Sequence, residues 1–477
     1  MLRDRRALPF ASPCFLVRFF LLVLFGGHGC GGSGKDAATP PNIVVIMTDD
    51  QRWDELAFMP TVTGRLVSKG VNFTNSFVTT PLCCPSRASF LTGQYSHNHG
   101  IITLGGAPRF DASSTLAVWL QEAGYTTALI GKYMNNNGNL GPAVPGGWDT
   151  WRTFADYLLV SFRGASLYFD YRLNEDGKLV SHGSEEADYS TDVLGAMAVD
   201  FIHENADRPF FLVYTPFGPH APPIPAPRHA GSLAELDLPI PQSFLEADVS
   251  DKPSHVRVSA DPERWPEERQ ERFPEKIRRA RIPTLESLLA VDEAVAGILD
   301  ALRERGVDDR TVVFFTSDNG FLWGEHWKLG KLVPYEESIR VPLVIRDPRL
   351  GDEPREEPRM VLSIDLAPTI AELAGATAPD TVDGRSLVGL LRGTARSWRE
   401  DFLIELLPHR KHASFAGVRT PEWKYIDIAD VEPSEELYDL RRDPHEMDNL
   451  LHTRPGDPDV TAAVERLRAR LVELKRE

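Results

Sequence analysis

Asn42-Ile43-Val44-Val45-Ile46-Met47, followed by Thr48 and then Asp49-Asp50, is the stretch that decides the fold of this 477-residue chain. A short, continuous apolar run with no polar residue at alternate positions fits a strand buried on both faces. Working outward, comparable runs rich in Val, Ile and Phe recur at residues 126–130, 210–214, 312–316 and 342–345. Helical patterns lie between them, at 116–123, 193–202 and, most regularly, 285–303. In the last of these Leu288, Leu289, Val291, Val295, Ile298, Leu299 and Leu302 recur at helical spacing, and Gly306 offers a stop. Strands alternating with helices imply an α/β sandwich built on a mainly parallel sheet. Open sheets of that kind bind ligands at the carboxyl ends of their strands. Asp49-Asp50 stands at such an end, and Asp318-Asn319-Gly320 stands in the same relation to the 312–316 strand. Three carboxylates and an amide oxygen form a hard, oxygen-only donor set suited to Ca²⁺ or Mg²⁺. Either pair alone would pass for a turn or a helix cap.

Between those two pairs the chain reads Cys83-Cys84-Pro85-Ser86-Arg87, continued by Ala88-Ser89-Phe90-Leu91-Thr92-Gly93. This resembles the signature of type I sulfatases, in which the first cysteine of C-x-P-S-R is oxidised to formylglycine. The resemblance implies an alkaline-phosphatase-like fold and a sulfuric ester hydrolase whose nucleophile is the hydrated aldehyde at Cys83. The chemistry explains the need for an aldehyde. Attack at sulfur by one hydroxyl of the hydrate leaves a sulfated enzyme, and loss of the proton from the other hydroxyl ejects sulfate. One hard displacement becomes two easier steps, whereas serine would be left as a stable sulfate ester.

The same resemblance assigns Asp49, Asp50, Asp318, Asn319 and the oxygen that replaces the Cys83 thiol as ligands of one Ca²⁺ ion. Such an ion would neutralise charge on the transferring sulfonate. Arg87 falls one helical turn beyond Cys83 if that stretch opens a helix, so its guanidinium would return to the nucleophile or its neighbours. Lys132, in Gly131-Lys132-Tyr133, would contact sulfate. His220, in Pro219-His220-Ala221-Pro222, and Lys331, ahead of Val333-Pro334-Tyr335-Glu336-Glu337, would bind sulfate and help protonate the departing alcohol. One position departs from the family pattern. Many sulfatases carry a histidine where this chain has Met134, and His97 and His99 are the candidates to replace it or else pack under the nucleophile helix.

Residues Leu91-Thr92-Gly93-Gln94-Tyr95-Ser96-His97-Asn98-His99 and Gly131-Lys132-Tyr133-Met134-Asn135 resemble N-acetylglucosamine-6-sulfatases in particular. So does the region from Tyr171 to Lys178 together with that from Tyr189 to Leu194. The likeness runs through nearly all of residues 41–452 and implies a sulfated sugar or glycan, glycosaminoglycans included, as substrate. Beyond Gly375 the alternation weakens. Strand-like stretches at 423–428 and 436–440 and an amphipathic helix at 460–474 resemble the small antiparallel C-terminal subdomain of sulfatases. A catalytic domain over 41–375 and a C-terminal subdomain over 376–477 follow. Residues 222–283, rich in proline and charge, read as a long surface excursion that shapes a substrate entrance.

The start of the chain reads as an address. Arg3, Arg5 and Arg6 precede an apolar run at 15–25, which suits a signal peptide over residues 1–30. It ends in Gly26-Gly27-His28-Gly29-Cys30, a degenerate lipobox with Cys30 as the lipidated residue, and a linker covers 31–40. The expected location is outside the cytoplasm: periplasmic, on the cell surface as a lipoprotein, or secreted. The net charge of −17 argues against nucleic acid as a partner. Of the four cysteines, Cys14 and Cys30 lie in the leader and Cys83-Cys84 are vicinal, so no disulfide framework is available. The partners implied are a sulfated carbohydrate or other sulfate monoester, and a formylglycine-generating enzyme. The alternatives are a formylglycine-dependent phosphonate or phosphate monoester hydrolase and a catalytically inert lipoprotein that binds sulfated glycans.

Overall fold

A computed structural model describes residues 40–135, 137–155, 167–261, 266–408, 413–429, 431–432 and 434–477. The expected signal peptide, Cys30 and nearly all of the linker lie outside the described residues. From Pro40 onward the chain forms one compact unit.

The Asn42–Thr48 strand is wholly buried and central to a ten-stranded sheet. In spatial order the strands are Arg355–Glu357, Val71–Phe73, Leu343–Arg346, Thr311–Ser317, Asn42–Thr48, Phe210–Thr215, Thr126–Gly131, Thr150–Phe154, Arg172–Glu175 and Lys178–Ser181. The five from Thr311–Ser317 to Thr150–Phe154 run parallel. The period of two along a strand explains why an unbroken apolar run was needed. Val44 and Ile46 join the core on one face, beneath the Ser190–Asn205 helix and the long Glu267–Glu304 helix. Ile43, Val45 and Met47 join the core on the other, with Ala88, Phe90 and Leu91 of the helix that follows Cys83. Each such side chain contributes about 1.5–3 kcal/mol of burial.

Two expectations need correction. Leu343–Arg346, read as one more strand of a parallel set, pairs antiparallel with Thr311–Ser317. No crossover helix separates the two, only a hairpin and a four-residue helix at Glu336–Ile339, and a parallel return needs a longer connection. The excursion is also shorter than expected, because Ser254–Ala260 is helical and the long helix starts at Glu267, taking in Pro274 and Pro283. Phe273, Ile277 and Ile282 bury one side of that helix, while Glu268–Arg272 and Glu275–Arg279 form i,i+4 pairs on the exposed side. The prolines and the sparse apolar spacing hid this pattern in the sequence.

The C-terminal part is an antiparallel sheet of Phe402–Leu406, Phe415–Arg419, Trp423–Ile428 and Glu435–Asp439. The Pro458–Leu474 helix packs Val460, Val464, Leu467 and Leu471 into the same core as Phe402, Ile404 and Leu437. Fully buried Lys424 ties this sheet to the segment after Lys331. Its Nζ lies 2.8 Å from Glu336 Oε1 and 2.7 Å from Glu446 Oε1, and it donates to the Pro334 carbonyl at 3.1 Å. Lys424→Met fills the space but leaves two buried carboxylates short of a cation, which costs about 3–5 kcal/mol. The expected result is a urea unfolding midpoint well below that of the wild type, with an unchanged far-ultraviolet spectrum before the transition.

No helix among the described residues is long and apolar enough to cross a membrane.

Candidate active site

Strand ends assemble the site. Asp318 N donates to the Thr48 carbonyl at 3.1 Å, which aligns the ends of two parallel strands and sets Asp49-Asp50 beside Asp318-Asn319. Asp50 turns out of its strand with φ +70, a left-handed conformation that Asp tolerates better than most residues. Its amide donates to Asp318 Oδ1 at 3.1 Å, and Asn319 Nδ2 donates to Asp50 Oδ1 at 2.6 Å. Gly320 is obligatory here: a Cβ would fall 2.1 Å from the Glu337 carbonyl oxygen. Two residues without an evident motif steady this turn. Ser317 Oγ accepts from Gln51 N at 3.0 Å and contacts the Asn319 carbonyl at 3.0 Å. The only signal that marked Ser317 was its position as the last residue of a strand.

Cys83 opens the Cys83–Thr92 helix, and every residue of that helix is buried. Its Sγ therefore sits at the positive end of the helix, among amides that have no helical acceptor. Lys331 Nζ donates to Sγ at 2.6 Å, while Asp49 Oδ1 and Asp50 Oδ1 lie 3.6 and 4.0 Å away. Burial pushes the thiol up to about 12, although Lys132 and Lys331 oppose it. A thiol so rarely ionised near neutrality is a poor nucleophile as encoded.

Lys132 arrives from a neighbouring strand. Gly131 has φ +121, and a Cβ there would lie 1.9 Å from the Thr215 carbonyl oxygen, so only glycine lets the strand swing the lysine inward. Lys132 Nζ reaches Asp49 Oδ2 at 2.5 Å and Asp318 Oδ2 at 3.8 Å. Arg87, one turn after Cys83, donates through Nε to Asp318 Oδ2 at 2.7 Å and through Nη1 to the Lys132 carbonyl at 2.6 Å. It therefore grips the neighbours of Cys83. His220 places Nε2 3.6 Å from Asp50 Oδ2, and its Nδ1 lies 2.5 Å from the Ala221 carbonyl. A carbonyl only accepts, so Nδ1 carries the proton and Nε2, facing Asp50, is the basic nitrogen. Burial lowers the pKa of this ring despite Asp49 and Asp50.

The carboxylates stay ionised. Burial alone would raise Asp49, but Lys132, His220 and Arg87 hold it below the ordinary range. Asp50 is likewise raised by burial and lowered further by Lys331 and His220. Asp49, Asp50, Cys83 and His220 offer ligand atoms within 4.8 Å of one another, a group able to hold a metal ion. The Lys331 ammonium touches Asp50 Oδ1, the Cys83 sulfur and, at 3.3 Å, Asn319 Oδ1. A positive charge thus already sits where the oxygen donors converge, and a hard cation fits that donor set.

His97 and His99 take other partners. His97 Nδ1 binds Glu405 Oε1 of the C-terminal sheet at 3.0 Å. His99 Nε2 binds Ser89 Oγ at 3.0 Å, and its Nδ1 accepts from Ile101 N at 3.0 Å. Both pack against the nucleophile helix, and neither takes the place of the histidine missing at Met134, which is itself buried in the core.

A family model described as Sulfatase matches residues 41–376, and one described as N-sulphoglucosamine sulphohydrolase, C-terminal, matches residues 324–477. An extracellular sulfatase SULF-1 homolog of Drosophila melanogaster is 33% identical over 78% of this chain, which spans only 34% of that relative's length. The human N-acetylglucosamine-6-sulfatase is 32% identical over 94% of this chain and 87% of its own. Among solved structures, a protein in complex with its substrate D-glucosamine-2-N,6-O-disulfate superposes with a TM-score of 0.75 at 26% identity, covering 92% of this chain and 98% of that one. The fold is the alkaline-phosphatase-like α/β sandwich with a small antiparallel C-terminal sheet, and the chain belongs to the sulfatase family.

Proposed function

We propose that this protein removes sulfate from a sulfated sugar of the N-acetylglucosamine-6-sulfate type, using a formylglycine formed at Cys83. The observation that carries the reading is the surroundings of Cys83. A buried helix-start side chain, inert as a thiol, faces two lysines, a histidine and a cluster of ionised carboxylates. Asp49, Asp50, Asp318 and Asn319, with the oxygen at position 83, would hold one Ca²⁺ ion. When bound, that ion supplies charge neutralisation at the transferring sulfonate. Lys132 and Lys331 bind the sulfate oxygens from two sides of the nucleophile. Arg87 fixes Asp318 and the Lys132 backbone, which orients both. His220 exchanges a proton at Nε2 with the leaving alcohol or the water that replaces it. The reading extends to maturation by a formylglycine-generating enzyme and to an exported chain, lipidated at Cys30 or released, with residues 41–375 as the catalytic domain and 376–477 as its C-terminal subdomain.

The test joins mass spectrometry to turnover. Protein coexpressed with a formylglycine-generating enzyme is digested with trypsin, and the peptide spanning residues 70–87 is weighed. The same sample is assayed on N-acetylglucosamine 6-sulfate and on the matching 6-phosphate. Aldehyde at Cys83 and sulfate release that exceeds phosphate release are expected. Preference for the phosphate would turn the reading toward a phosphate or phosphonate monoester hydrolase. Saturable binding of the sulfated sugar with no turnover, despite the aldehyde, would leave a glycan-binding protein.

A further inference from the structure

The hairpin that delivers Lys331 is held from outside the catalytic sheet. Its strands, Leu322–Trp323 and Leu329–Gly330, pair antiparallel, so Lys331 is the first residue beyond the second strand. At the tip His326 and Trp327 have φ of +50 and +58, and Leu332, directly after Lys331, has φ +75. Bulky residues keep such conformations only where the surroundings over-determine them. Within the tip Trp327 N donates to the Gly324 carbonyl at 3.2 Å and Lys328 N to the Glu325 carbonyl at 2.8 Å, and further restraint comes from other segments.

Residues 243–246 of the excursion provide it. Leu245 N donates to the Gly324 carbonyl at 3.0 Å, and His326 N donates to the Ser243 carbonyl at 2.8 Å. Glu246 is the centre of the grip. Its Oε2 lies 2.7 Å from His326 Nδ1, and its backbone carbonyl accepts from Trp327 Nε1 at 2.8 Å. Glu246 is 3% exposed and His326 is fully buried. Lys252 Nζ stands 3.5 Å from Glu246 Oε1 and donates to the Glu446 and Met447 carbonyls at 2.7 and 2.9 Å, which anchors the excursion in the C-terminal part of the chain. The Tyr335 ring packs against the His326 ring at a centroid distance of 4.3 Å, tilted by 32°, and its hydroxyl donates to Glu436 at 3.0 Å. These contacts join three separate stretches of chain at the base of one catalytic side chain.

We infer that Glu246 is a positioning residue for Lys331: by holding His326 and Trp327 it fixes the hairpin from which Lys331 reaches Cys83 and Asp50. The inference rests on the proposed role of Lys331 as a sulfate-binding group and adds the device that aims it. Excursion and C-terminal subdomain thereby become parts of the catalytic apparatus without touching the substrate. Burial pushes the Glu246 carboxyl up to about 8, with Lys252 opposing, and burial drives His326 down to about 3. Near neutrality the pair is therefore largely uncharged, and a glutamine at 246 offers the same hydrogen bond.

A double-mutant cycle on the mature, calcium-loaded enzyme tests this, with N-acetylglucosamine 6-sulfate as substrate, inorganic sulfate as competitive inhibitor, and rates normalised to formylglycine content by mass spectrometry. Glu246→Ala is expected to lower kcat/KM about 10- to 100-fold, the penalty of a small misplacement at a reacting centre. It should also raise the inhibition constant for sulfate, while Glu246→Gln stays close to wild type. In a Lys331→Ala background, Glu246→Ala should change kcat/KM less than about twofold, because coupled residues are non-additive. If Glu246→Ala and Lys331→Ala multiply, Glu246 acts on general stability alone and the inference is overturned while the role of Lys331 stands. If Lys331→Ala by itself leaves kcat/KM and sulfate inhibition unchanged, the assignment of Lys331 fails and the inference with it. Should Glu246→Ala not fold, Glu246→Gln and His326→Asn carry the same cycle, with Gln expected to be silent and Asn impaired only when Lys331 is present.

Discussion

Cys83→Ser protein is expected to turn over sulfate ester about 10⁵-fold more slowly than the wild type, the scale of losing a nucleophile outright. That factor corresponds to about 7 kcal/mol of barrier. The substitution is nearly isosteric, and the residue is 1% exposed at the start of a fully buried helix, so packing changes little. What changes is the chemistry. Serine offers one hydroxyl, and once sulfated it has no second hydroxyl whose deprotonation would expel the product. The expected signature is a first phase of at most one equivalent of alcohol per enzyme, followed by turnover slowed by that factor. A quenched-flow or long-incubation assay that counts alcohol against enzyme detects it. Cys83→Ala should show not even that first equivalent, because it has no nucleophile. Continued turnover by the serine variant at a hundredth of the wild-type rate or more would mean that a plain hydroxyl suffices and that the oxidised side chain is dispensable.

How much of this was legible in the sequence differs between fold and site. The buried parallel strands announced themselves because each must be apolar on both faces, as Ile43, Val45 and Met47 on one side and Val44 and Ile46 on the other make plain. The groups around Cys83 were legible because strand ends in a parallel sheet converge. Asp49-Asp50, Asp318-Asn319, Lys132 and His220 each follow one of four strands, and the structure brings all of them to one place. The long helix was legible only in its second half. Ahead of Leu285 it buries only Phe273, Ile277 and Ile282 among its large apolar side chains and carries two prolines, so propensity and periodicity disagreed. Nor could local reading find the grip on Lys331. Glu246 meets His326 across 80 positions of sequence, and neither residue belongs to a pattern that marks it. The positive φ values that reveal the restraint are properties of the folded chain alone. For His97 and His99 the sequence left two roles open, and only the fold reveals their partners, Glu405 and Ser89.

Asp318→Asn should separate the cost of an unpaired cation from the loss of a calcium ligand. Asp318 Oδ2 pairs with Arg87 Nε at 2.7 Å, and Oδ1 accepts from Asp50 N at 3.1 Å. The amide keeps the shape but removes the charge, leaving the buried Arg87 with Asp49 at 3.9 Å as its remaining carboxylate at the site. Breaking a buried pair in this way costs about 3–5 kcal/mol, so unfolding without added metal should move to markedly lower denaturant. Calcium supplies the second readout. At a free concentration 100 times its dissociation constant, an ion that binds only the folded state stabilises it by about 2.7 kcal/mol. The wild type should show that increment. Asp318→Asn at the same calcium concentration should lose most of it, since one of three carboxylates in the proposed donor set is gone, and should lose about 10²–10³-fold in kcat. Unfolding curves with and without calcium, for both proteins, decide the matter. A variant destabilised without metal that still gains the full calcium increment would make Asp318 a partner of Arg87 only, and would move the ion onto Asp49, Asp50 and His220.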